Sequence, residues 1–157
     1  MNKIGFGQVE PNHLSAQRTG QIYAQLPAAE SIDTLQNGQF VKYDYRNGEV
    51  NFGATGEWML VYNEVKTYGE RETVKDFALK TADAVSGIIV PRVFKTNVGD
   101  IFTTNLVEGE PALGDELSPN AQGILAKGVS GATMKWQVVK VCTLADGQAA
   151  VKVMRIA

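Results

Sequence analysis

The sequence is poor in the residues that carry most protein chemistry. It has one cysteine and one histidine in 157 residues. A single Cys142 excludes an internal disulfide framework. Placed in the apolar stretch Val138–Leu144, it reads as a small buried hydrophobe rather than a reactive thiol. With His13 alone, and on a segment lacking any regular period, neither a Ser-His-Asp nor a Cys-His arrangement is indicated, and no His/Cys cluster has zinc spacing. Apolar runs stay far below the ~18 residues of a membrane-spanning helix, and the Met1-Asn2-Lys3 start lacks the apolar core of a secretory signal. Neither export through a standard signal peptide nor membrane insertion is expected. Basic clusters are missing too. The 15 Lys and Arg are scattered among 17 Asp and Glu, for a net charge of −2, whereas nucleic-acid binding needs concentrated positive charge.

What the sequence does contain is turns. Sixteen glycines recur singly between apolar runs, above the average usage of about 7%. The pattern Gly-Asp-x-(Phe/Leu)-(Thr/Ser)-x-Asn occurs twice, as Gly99–Asn105 and Gly114–Asn120, fifteen residues apart. In each copy glycine supplies a permissive backbone and the aspartate side chain can accept from nearby backbone N–H groups. Each unit is expected to launch a short strand.

Residues 1–38 carry isolated apolar side chains among polar residues, Gly and Pro. They read as an extended arm with one short strand at Gln21–Leu26, either wrapped on its own domain or docked on a neighbouring subunit. Residues 39–157 read as a single β-rich domain. Phe40–Tyr45 and Glu49–Phe52 flank Asn47-Gly48, a type I′ hairpin signal. Trp58–Tyr62 is apolar throughout and reads as a buried strand. The charged stretch 63–84 fits one short helix or two strands (Val65–Tyr68 and Phe77–Leu79), with strands favoured by the β-rich surroundings. Ile88–Phe94 is strand-like, but Pro91 places itself at an edge, at a bulge or outside the pairing. The chain closes with a hairpin of Met134–Leu144 and Ala150–Ile156 around Ala145-Asp146-Gly147, although Lys140 and Arg155 interrupt its alternation. The expected fold is mainly β, an antiparallel β-sandwich or small β-barrel with an extended N-terminal arm.

Glu108, Glu110, Asp115, Glu116 and Asp100 could offer oxygen ligands to calcium, but their spacing matches no EF-type loop and a solvated acidic loop is the simpler reading. No phosphate-binding motif is present, since Gly5-Phe6-Gly7 and Gly53-Ala54-Thr55-Gly56 lack the required context. Trp58, Trp136 and the five tyrosines could form a sugar platform, or could be core. No cofactor is expected.

Several features together resemble the decoration, or cement, proteins of tailed-bacteriophage heads. They are the irregular arm, the segment Leu35-Gln36-Asn37-Gly38-Gln39-Phe40-Val41, the segment Val98–Asn105, the second Gly-Asp turn, and Asn120-Ala121-Gln122-Gly123-Ile124-Leu125 before a closing hairpin. The charged middle of the chain has no counterpart in that pattern. The resemblance implies a non-enzymatic virion protein, made in the host cytoplasm, that binds the major capsid protein on the exterior of the head. It also implies self-association as a small oligomer such as a trimer, with no nucleic-acid or membrane partner. Isolated apolar groups on an arm need a partner surface, so the expected capsid or subunit contacts are Ile4, Phe6, Val9 and Leu14. Other readings are a phage tail or head–tail joining protein, a carbohydrate- or receptor-binding β-module, and a small hydrolase built on a carboxylate pair.

Overall fold

The computed structural model describes residues 3–10, 25–63 and 77–157. Among the described residues eleven strands follow one another: β1 (Thr34–Leu35), β2 (Phe40–Asp44), β3 (Glu49–Asn51), β4 (Trp58–Val61), β5 (Leu79–Lys80), β6 (Val93–Phe94), β7 (Ile101–Thr104), β8 (Glu116–Pro119), β9 (Leu125–Ala126), β10 (Trp136–Thr143) and β11 (Ala149–Arg155). Among the described residues, helix is limited to two single 3-10 turns, Thr81–Asp83 and Val85–Gly87. The strands form antiparallel sheets ordered β7-β11-β10-β8-β9, β3-β2-β4-β6 and β1-β5. The sheets stay open, so the fold is a sandwich and not the small barrel that was the alternative from sequence.

The alternation of side chains along a strand explains why the four-stranded sheet sits in the middle. Phe40, Leu60 and Phe94 point to one face and join Phe102, Leu117, Trp136, Val138, Val151 and Val153 of the five-stranded sheet. Val41, Tyr43, Met59, Val61 and Val93 point to the other face, where Ile32, Leu35 and Ile89 cover them. That is why Trp58–Val61 is apolar at every position. The covering layer draws on residues 26–35, with Leu26 and Ala28 packed against it, so this part of the expected arm lies against the domain. The short strand in this region is Thr34–Leu35, whereas the expected Gln21–Leu26 strand falls mostly outside the described residues. So does Val65–Tyr68. Of Phe77–Leu79 only Leu79 is on a strand, and Pro91 lies just outside the pairing, which begins at Val93.

The closing hairpin shows why its alternation looked broken. A bulge falls between Val138 and Lys140, where the register against β11 shifts. One extra residue in one strand resets which side chains face inward. Trp136 and Val138 face the core before the bulge, and Val141, opposite buried Val151, shares that face after it. Lys140 therefore faces away from the core. Arg155, the other interruption, pairs with Glu57 at 2.5 Å and donates to the Thr96 carbonyl.

The β2–β3 hairpin forms as expected, but not with a type I′ turn. That turn needs positive φ at both central residues, and here Gly48 alone has it (69°). The connection is a four-residue loop in which the Asp44 carboxylate accepts from the N–H groups of Arg46 (3.0 Å) and Asn47 (3.2 Å). The Asn47 N–H chiefly, with that of Arg46, holds the Asp44 carboxyl below its ordinary value against the opposing effect of burial. Asp115 is lowered likewise, chiefly by its hydrogen bond from Lys127 and then by the Ala112 N–H. A carboxyl whose folded-state pKa is depressed contributes stability above the unfolded value of about 4 and loses it as pH falls through the lower folded value. Urea-denaturation midpoints are thus expected to hold steady from pH 7 to about 4.5 and decline below about 4. An Asp44→Asn/Asp115→Asn double variant is expected to be less stable at neutral pH and to show a flatter acid limb.

Candidate interaction surfaces

The turns that open the two Gly-Asp units repeat bond for bond. In the first, the Asp100 N–H donates to the Asn97 carbonyl (3.0 Å) while the Asp100 carboxylate accepts from the Asn97 N–H (2.8 Å). In the second, Asp115 does the same with Ala112, at 3.1 and 2.6 Å. Gly99 and Gly114 have φ of 95° and 89°, as the third position of a type II turn requires. Each turn is then tied to the closing hairpin in the same way. Gly99 donates to Arg155, which donates back to Asp100; Gly114 donates to Val138, which donates back to Asp115. The residue before each glycine is thrown outward at the turn tip. These residues are Val98 and Leu113, 67% and 70% exposed. Reading the units as strand starts overlooked them. The available signal was an apolar residue at the second position of a turn, where a side chain projects away from its own sheet.

The arm residues divide. Residues 8–10 lie along the edge of β7, where Val9 bridges Thr104 and the Glu10 N–H donates to the Thr103 carbonyl at 2.9 Å. Neutral carboxamides and a hydroxyl hold the rest. Gln8 N–H donates to Asn105 Oδ1 (2.7 Å), Gly7 N–H to Gln36 Oε1 (2.7 Å), Ile4 N–H to Gln148 Oε1 (2.5 Å), and Thr104 Oγ1 to the Gln8 carbonyl (2.6 Å). Uncharged donors and acceptors can be buried this way at little desolvation cost once each is paired. Val9 is consequently a core residue of its own chain, 5% exposed, and is not free to meet a partner as the sequence suggested. Strand pairing placed its side chain against the same cluster as Phe102. Phe6 is half-buried beneath the Lys80 ammonium, 4.7 Å from the ring centroid. Ile4 remains 63% exposed. Leu14 and His13 lie outside the described residues.

Glu108, Asp115 and Glu116 each have a different side-chain partner. Glu108 accepts from Asn120 (2.8 Å), Asp115 pairs with Lys127, and Glu116 with Lys135 (3.2 Å). No group of three His, Cys, Asp or Glu that could hold a metal occurs among the described residues. A shallow cleft of about 460 Å³ runs between Glu108–Glu110 and Ala126–Val129. Trp136 is fully buried, and Trp58 is half-buried with the Lys42 ammonium 4.4 Å from its ring, so neither offers an open stacking face. Cys142 is half-buried on β10. No family model, curated protein or solved structure matches the chain.

Proposed function

We propose that this chain is a non-enzymatic structural protein of a phage particle, which binds the major capsid protein on the outer surface of the head and stabilises the assembled shell. The reading rests on the resemblance in the order of arm, Gly-Asp segments and closing hairpin. One structural observation supports a binding role in particular: two rigidly built turns present Val98 and Leu113 to solvent. Each tip is fixed by a two-way hydrogen-bond exchange with the closing hairpin, so little conformational freedom is lost when it is buried against a partner. Ile4, exposed at the docked arm, is a third contact of the same kind. A protein that binds only the assembled lattice stabilises it by mass action, and repeated copies add to the effect.

The test is co-sedimentation with undecorated heads. Saturable occupancy at a fixed ratio to the capsid protein is expected, with a rise in the temperature at which heads release DNA. A Val98→Asp/Leu113→Asp double variant is expected to fold normally and to lose about tenfold or more in apparent affinity, since each tip would bring an unpaired charge into the contact. Failure of the wild-type chain to sediment with heads would overturn the proposal. Unchanged binding of the variant would remove the turn tips from it.

A further inference from the structure

The long hairpin leaves part of one edge open. β8 pairs with β10 only at Trp136 and Gln137, and the Gly114-Asp115 turn takes the next position through Val138. Beyond it, no described residue pairs with the outer edge of residues 139–143. The Leu144 N–H donates across the hairpin to Gln148. Alternation back along the strand turns Cys142 and Lys140 toward β11, and the backbone groups of Val141 and Thr143 outward. Val141 shares the face of buried Val151 but is itself 51% exposed. Leu113, 70% exposed, stands beside the start of this edge.

We infer that this edge is a self-association site, where a second copy of the chain adds its own β10 antiparallel, centred on Val141. The edge is self-complementary about that residue. Val141 would face Val141 of the second copy, making a row Val151–Val141–Val141–Val151 that extends the core face across both sheets. Lys140 would face Cys142 and Val139 would face Thr143, so no like charges oppose one another across the seam, although Lys140 faces Lys152 within each hairpin. A register centred on Lys140 would set lysine against lysine, which cross-strand pairing disfavours. The outward N–H and C=O of Val141 on the two copies would pair with each other, as unprotected edges tend to do. The inference concerns the chain's own partner and stands whether or not a capsid is its other one.

Sedimentation equilibrium over a concentration series tests it, together with a position-specific cross-link. The wild type is expected to show a two-fold association, and Val141→Lys to weaken it about tenfold or more, because two ammonium groups would meet at the centre. In a Lys140→Cys variant the new thiol would lie opposite Cys142 of the second copy, within the reach of a disulfide. Mild oxidation should give a covalent dimer, and the Lys140→Cys/Cys142→Ser variant should not. A chain that stays monomeric at all concentrations overturns the inference. Association unaffected by Val141→Lys, or equal cross-linking of the two cysteine variants, also overturns it.

Discussion

Replacing Gly123 with alanine is expected to cost about 2–5 kcal/mol and to lower the melting temperature by roughly 5–20 °C. Gly123 ends the tight turn joining β8 to β9, with its N–H donating to the Asn120 carbonyl at 2.9 Å. It also receives the Phe40 N–H on its own carbonyl at 2.7 Å, which docks the turn on the start of the central sheet. Its φ is +71°, and a Cβ there would lie 1.9 Å from the Phe40 carbonyl oxygen. The left-handed conformation costs an L-residue about 1–2 kcal/mol. The clash is with backbone and cannot be relieved by a rotamer change. The turn must withdraw, and the buried Phe40 N–H then loses its acceptor at a further ~1–3 kcal/mol. Gly48 provides the control, because its φ is +69° but nothing lies within 4 Å of a Cβ. Gly48→Ala is expected to cost only the conformational part. Thermal melts of both variants beside the wild type check the prediction, and similar small losses in the two would show that the turn yields freely.

The residues that made the fold legible were those whose meaning is local. Asp100 and Asp115 announce turns because their side chains reach back-bonded N–H groups three residues away, and that geometry is written within four residues of sequence. The apolar run of Trp58–Val61 announces burial on both faces. The bulge at Val139 was seen only as a flaw in alternation, because the identity of an extra residue depends on the partner strand. Val9 was misplaced for the same reason. Nothing within residues 3–10 says that Asn105, Gln36 and Gln148 will supply the acceptors that hold the segment to the domain. These partners are distant in sequence and chemically ordinary. Val98 and Leu113 lay between the two kinds of signal. Their turns were recognised, but that a turn tip projects an apolar side chain was not drawn from them.

Truncating Trp136 should produce the other large loss, and its size should depend on what replaces the ring. Trp136 is completely buried, edge-on to Phe102 at 4.9 Å between centroids and 5.7 Å from Phe40. It also joins strands, standing opposite Leu117 on β8 and Arg155 on β11. Trp136→Ala removes the ring between the two phenylalanines and leaves a cavity, for an expected cost of about 3–5 kcal/mol. Phenylalanine should behave differently. The Trp136 Nε1 hydrogen is buried with no hydrogen-bond acceptor among the described residues, a debt of about 1–3 kcal/mol that the native core already carries. Trp136→Phe gives up volume but removes that orphan donor, so its net cost should be about 1 kcal/mol or less. Urea midpoints at constant slope decide between them. If phenylalanine cost nearly as much as alanine, the indole N–H would have to be satisfied in the folded protein, with the aromatic faces of Phe40 and Phe102 as the acceptors within reach.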